Sequence, residues 1–216
     1  MKILHTSDIH GGYERVLEAL ASGDHDVWVD SGDFFPNKTR GDRDVEPAWQ
    51  AKWSGWKNIG DRLVAALAGR PLVCVGGNHD YVDLAAIVRD AGGTAFNLAD
   101  GPATVGGRVF AGFREVPYIA GEWNGETHDF DALIEGAMGC DPAVLVTHSP
   151  PGGILDDSTD GHPPGIGALT NRLMYAPHGV VAHLFGHIHV HGGSVEDVGG
   201  IVFSNAATAA NTITLG

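Results

Sequence analysis

Short apolar runs recur along this chain, and five of them stop abruptly in side chains able to bind metals. Lys2 to Thr6 reads as a first strand and runs into Ser7-Asp8-Ile9-His10. Val27-Trp28-Val29 runs into Asp30-Ser31-Gly32-Asp33, and Leu72 to Val75 into Gly76-Gly77-Asn78-His79-Asp80. Ala143 to Val146 ends at Thr147-His148, and His183-Leu184-Phe185 at Gly186-His187-Ile188-His189. Each run is β-branched or aromatic and is bounded by turn residues, which is the pattern of a buried strand.

Helical spacing alternates with these runs. Val16, Leu17 and Leu20 predict a helix over Tyr13 to Ala21, with Gly23 as its stop. Glu46 to Leu67 reads as mainly helical, weakened at Gly55 and Gly60. Its Trp49, Trp53, Trp56 and Leu63 form one apolar stripe, read as packing on a sheet or, alternatively, as a dimer contact. Further helices are predicted over Val82 to Asp90, Asp129 to Ala137 and Ala168 to Tyr175. Shorter strands are predicted over Thr94 to Asn97, Ala103 to Val105, Arg108 to Phe113, Gly193 to Asp197, Ile201 to Ser204 and Thr212 to Leu215.

Strands alternating with helices imply parallel sheet in the first half, and the second half is richer in strands. Two mixed sheets packed face to face with helices outside, a four-layer α-β-β-α sandwich, accommodate both halves. One domain over residues 1–216 is expected, because neither a linker nor a repeat interrupts the pattern. Ligands bind beyond the carboxyl ends of strands in α/β sheets, and that is where the metal-binding residues fall. Asp8 and His10 are two apart, so extended backbone would point them to one side, whereas the neighbours Asn78 and His79 would diverge.

Composition narrows the function. The 216 residues carry a formal charge of −14, from 13 basic and 27 acidic side chains. A long nucleic-acid groove needs a basic face, which this balance does not provide. A small anionic substrate remains compatible if metals make one pocket positive. Without an 18-residue apolar run no membrane span is expected, and the first residues turn polar too soon for a secretory signal. Cys74 and Cys140 read as buried free thiols in a reducing cytoplasm. Of the twelve histidines, those outside the strand ends read as surface or core residues, with His191 a candidate support for the site. Arg114 follows a strand and reads either as a phosphate contact or as a surface salt bridge. The loop over residues 152–165 is expected to wall the pocket.

Taken together, Asp8-Ile9-His10, Gly32-Asp33, Gly77-Asn78-His79-Asp80, His148 and Gly186-His187-Ile188-His189 resemble the calcineurin-like metallophosphoesterases, with all five blocks in family order. The resemblance implies a dinuclear metal centre. By motif, Asp8, His10 and His189 would hold one ion and Asn78, His148 and His187 the other, with Asp33 bridging. His79 would bind neither and would protonate the leaving oxygen. Asp80 would orient the His79 ring or cap the following helix. Oxygen and nitrogen donors without thiolate suit Mn²⁺ first, with Fe, Ni²⁺, Co²⁺ or Zn²⁺ as alternatives. Two divalent ions, two carboxylates and a hydroxide leave a residual charge of about +1, attractive to phosphate.

Within the family the chain looks most like the small phosphodiesterases of the MPPED type, which resemble class III cyclic nucleotide phosphodiesterases. The residues that carry this are Thr147 to Gly152, Leu184 to His189 and Phe203 to Ala206. That group often has Glu where this chain has Asp80, and one of its known departures loses the histidine that stands here as His187. The expected substrate is a small phosphodiester, 2′,3′-cyclic nucleotides ahead of 3′,5′. A phosphomonoesterase or nuclease on the same core, or a non-catalytic scaffold, are the alternatives.

Overall fold

The computed structural model describes residues 1–157 and 165–216. Residues 158–164, the centre of the loop expected to wall the pocket, lie outside the described residues together with His162.

The first half supplies β1 (Lys2–Thr6), α1 (Tyr13–Ala21), β2 (Val27–Asp30), α2 (Glu46–Lys57), α3 (Ile59–Leu67), β3 (Leu72–Cys74), α4 (Leu84–Asp90) and β4 (Ala95–Asn97). The second half supplies β5 (Ala103–Val105), β6 (Arg108–Phe113), β7 (Val116–Pro117), β8 (Glu126–Thr127), α5 (Asp131–Met138), β9 (Val144–Thr147), α6 (Gly167–Tyr175), β10 (Ala182–Phe185), β11 (Val195–Val198), β12 (Ile201–Asn205) and β13 (Ala210–Thr214). One sheet runs β13-β1-β2-β3-β4 and the other β11-β12-β10-β9-β6-β5. Both are parallel at the centre. The antiparallel strands are β13 beside β1 in the first sheet, and β5 and β11 in the second.

Alternation along the strands builds the layers, because successive side chains point to opposite faces. Ile3, Val27, Val29 and Val73 pack with Val144, Val146, Ala182 and Leu184 of the facing sheet. Leu4, Trp28, Leu72 and Cys74 turn the other way, onto Val16 and Leu20 of α1, Leu63 and Leu67 of α3 and Val88 of α4. Leu145, Phe185 and Phe203 pack on Ile134 of α5 and Leu169 and Leu173 of α6. The result is the expected α-β-β-α sandwich.

Three local features differ from the sequence expectation. The Glu46 to Leu67 helix is two helices, broken at Asn58 in left-handed backbone (φ 49°) rather than at either glycine. The aromatic stripe does not stay on one buried face. Trp53 and Leu63 are buried and Trp49 is half-buried, while Trp56 is 63% exposed beneath the Lys52 ammonium, 4.6 Å from its ring. The short parallel pair β7–β8 has too little apolar pattern to be seen in the sequence, and it closes an excursion over residues 118–125. Among the described residues no helix is long and apolar enough to cross a membrane.

Candidate metal centre

The ends of β1, β2 and β3 from one sheet meet those of β9 and β10 from the other, and their polar residues converge. The turns are tight. Asp8, His10, Asp33 and His187 all adopt left-handed backbone, with φ of 53°, 46°, 57° and 67°. Each such residue costs about 1–3 kcal/mol and persists only where neighbours hold it. Asp8 N–H donates to Gly32 O at 2.8 Å and His10 N–H to Asp33 O at 2.9 Å, so the first two turns brace each other. The extended geometry expected for Asp8 and His10 is therefore replaced by a braced turn, and Asn78-His79 is likewise a turn.

Hydrogen bonds from backbone and hydroxyl groups hold one oxygen of each carboxylate and turn the other toward the site histidines. Asp8 Oδ2 accepts from the Ser7 hydroxyl at 2.7 Å and the His187 amide at 2.8 Å. Its Oδ1 faces His189 Nε2 at 3.2 Å and His10 Nε2 at 4.0 Å. Asp33 Oδ1 accepts from His79 N–H at 2.7 Å, while Oδ2 faces His148 Nε2 at 3.2 Å and His79 Nε2 at 4.0 Å. His148 Nδ1–H donates to Ser31 O at 2.8 Å, which aims Nε2 at Asp33 and at Asn78 Oδ1, 3.0 Å away. The His187 ring lies 5.0 Å from that of His148. The backbone approaches are close: a side chain at Gly77 would overlap the Asp33 carboxylate.

The donor set tests whether a cation belongs here. Asp33 Oδ2, Asn78 Oδ1 and, in its neutral form, His148 Nε2 are all acceptors, and they converge without a donor among them. Among the described residues three Asp/His clusters with metal-binding spacing result: Asp8-His10-His189, His10-Asp33-His79 and Asp8-Asp33-His148. The residues fit divalent metal ions, with oxygen and nitrogen donors and no thiolate. The electrostatics say the same. Burial opposes charge on His148, yet the adjacent Asp33 carboxylate raises its pKa to about 10, so a proton takes the cation's place. Burial also opposes ionisation of Asp33, but His148 holds it well below the usual carboxylate range. The Asp8 hydrogen bond raises His189, whereas burial, reinforced by His148, lowers His187 to about 4.

Asp80 and Arg114 both brace the backbone of the site. Asp80 neither touches the His79 ring nor caps a helix. Its Oδ2 accepts from Asp33 N–H at 2.7 Å and Gly77 N–H at 2.9 Å, and its Oδ1 from Phe35 N–H at 3.0 Å. It ties two turns together as a buried backbone acceptor, and the cap of α4 is Asp83. Arg114 turns one terminal nitrogen onto the backbone, donating to Gly77 O and Asp80 O, both at 2.7 Å. His191 faces Asp157 at 3.4 Å.

Other contacts were not legible in the sequence. The His79 ring hydrogen-bonds through Nδ1 to Asn37 Oδ1 and stacks on Trp123, ring centres 4.2 Å apart. Gln50 donates to His79 O at 2.7 Å and accepts from Tyr81 N–H at 2.8 Å. Asn37 sits four residues past Asp33 in a polar loop, and Trp123 lies in a stretch with no periodicity, so neither carries a local signal. The family model described as calcineurin-like phosphoesterase matches residues 1–191. No curated protein matches the chain.

Proposed function

This chain belongs to the calcineurin-like phosphoesterases, and from that premise we propose that it hydrolyses small phosphodiesters, with cyclic nucleotides as the substrate class. The coarser statement, a metal-dependent phosphoesterase, follows from the family and the Asp/His clusters. The observation that carries the reading is the convergence of Asp33 Oδ2, His148 Nε2 and Asn78 Oδ1, which calls for a cation.

In this reading Asp8, His10 and His189 would hold one divalent ion and Asn78, His148 and His187 a second, with Asp33 shared by the two sets. Bound divalent ions supply Lewis acidity, activating water and offsetting charge on the phosphoryl oxygens. Mn²⁺ is the expected ion, and Fe, Ni²⁺, Co²⁺ or Zn²⁺ suit the same donors. The chain's own contribution is orientation. Ser31 O sets the His148 tautomer, and the Ser7 hydroxyl with the His187 amide turns Asp8 Oδ1 inward. His79 is the proton donor to the leaving oxygen. Its Nδ1–H is committed to Asn37, so Nε2 delivers the proton. Burial, only partly offset by Asp33, lowers the His79 pKa and makes the protonated ring a readier donor.

The preference for diesters, and for 2′,3′- over 3′,5′-cyclic nucleotides, rests on resemblance to the MPPED-type enzymes. One domain over 1–216 and a cytoplasmic location belong to the same reading, the latter motivated by two free cysteines. The test is metal-stripped protein re-loaded one ion at a time and assayed on paired substrates. Bis-aryl phosphate should be cleaved faster than the mono-aryl ester; equal or slower cleavage sinks the diesterase assignment.

A further inference from the structure

The excursion between β7 and β8 is fastened to the loop that carries His79. Asn124 N–H donates to Asn78 O at 3.2 Å, and the Asn124 side-chain amide donates to Asp80 O at 2.7 Å. Glu126 organises the excursion from within. Its carboxylate accepts from the backbone N–H groups of Ala120 and Trp123, at 3.2 and 3.0 Å, and from that of Gly121. Arg43 reaches across from the loop after β2 and donates to Trp123 O at 2.7 Å. Gly41 in that loop has φ +81°, and a side chain there would meet the indole at 2.9 Å. Two loops distant in sequence are thus shaped around one indole, and the indole lies on the His79 ring at an interplanar angle of 38°.

The opposite constraint comes from Asn37. Its side-chain nitrogen donates to His79 O at 3.2 Å, which fixes the amide orientation and leaves Oδ1 as the group facing His79 Nδ1. Gln50, buried in α2, holds the same carbonyl. The ring is therefore held at one edge by a hydrogen bond and on one face by stacking.

We propose that Asn37 and Trp123 are positioning residues for His79: Asn37 selects the Nδ1–H tautomer and Trp123 fixes the ring plane, so that Nε2 points to the leaving oxygen. This rests on the reading of His79 as the proton donor. Neither residue touches the reacting atoms; both act through the imidazole. Such a role differs from a merely structural one in its dependence on the leaving group. A proton donor matters most when the departing oxygen is strongly basic and little when it departs readily as a stabilised anion.

The test uses the full chain, metal-loaded, with aryl phosphate esters of the class it hydrolyses, comparing nitrophenyl with phenyl leaving groups. His79→Ala should lose about 100-fold or more on the phenyl ester and only a few-fold on the nitrophenyl ester. Asn37→Ala and Trp123→Ala should follow the same pattern at about 10-fold, and Trp123→Phe, which keeps a stacking face, should recover most of the loss. Equal losses on both esters, or none, overturn the positioning role. A second readout needs no turnover. In ¹⁵N-histidine spectra of the Zn²⁺-loaded protein, His79 should be Nδ1–H in the parent and shift toward Nε2–H in Asn37→Ala. An unchanged tautomer overturns the Asn37 assignment even if His79→Ala shows that the donor reading itself has failed.

Discussion

His148 and His5 are both fully buried and both lean on Ser31, yet their surroundings push their pKa values in opposite directions. His148 Nδ1 donates to the Ser31 carbonyl, and the remaining nitrogen faces Asp33. His5 lies between the sheets, with Nδ1 2.9 Å from the Ser204 hydroxyl and Nε2 3.0 Å from the Ser31 hydroxyl. Burial lowers His5 to about 3 with only weak opposition from Asp8, whereas the adjacent Asp33 lifts His148 to about 10 against the same burial. Depth alone does not make a histidine functional. What matters is whether its second nitrogen meets a carboxylate or a hydroxyl: the first calls for a cation, the second completes a neutral network.

The comparison has a sharp consequence for mutation. His148→Ala should cut turnover by more than about 100-fold, beyond the 10–100-fold typical of a residue that only supports a ligand. It should also lower the metal content read by elemental analysis. His5→Gln should leave turnover per folded molecule within a few-fold. If the two variants lose activity equally, the division between a functional and a structural histidine is wrong.

The pH dependence is the next largest effect. His5 and His183 are both neutral in the fold, each lowered to about 3 chiefly by burial. Between that value and the ordinary 6.5 the unfolded chain binds more protons than the folded one. Their stabilising contribution is thus complete above about pH 6.5 and is lost as pH falls toward 3. Each group adds a slope of up to about 1.4 kcal/mol per pH unit in that window. Urea titrations of the parent and His5→Gln at pH 4, 5 and 6 should show a shallower dependence in the variant; parallel curves would mean that His5 does not stay neutral.

Ser31→Ala should have the smallest effect. It removes the hydroxyl beside His5 but keeps the carbonyl that holds His148. Stability should fall by about 1 kcal/mol, with turnover nearly unchanged. A large loss of turnover would show that the two histidines communicate through this residue.

The order of strands and helices was legible because each strand alternates between two buried faces and each helix shows an apolar stripe. The site was legible as blocks because its ligands sit directly after strand ends. Their conformation was not. Asp8, His10, Asp33 and His187 occupy left-handed turns that Asp and His tolerate better than most residues but that no local pattern specifies; hydrogen bonds between loops distant in sequence hold at least Asp8 and His10 there. Asp80 looked like a partner for its neighbour His79 and instead binds the amides of Asp33, Phe35 and Gly77. Arg114 read as a phosphate contact or a surface salt bridge, and nothing local in the sequence showed that it also holds the carbonyls of Gly77 and Asp80.

By itself, the sequence determined which side chains able to bind metals stand at which ends of which strands, because period-2 burial and the residues that stop a strand are local properties. Only the tertiary structure decided which oxygen of each carboxylate faces the site histidines, which tautomer His148 adopts and what holds the His79 ring. Those outcomes depend on hydrogen bonds and stacking between segments as far apart as Ser31 and His148, or His79 and Trp123, and contacts of that range leave no periodicity in the chain.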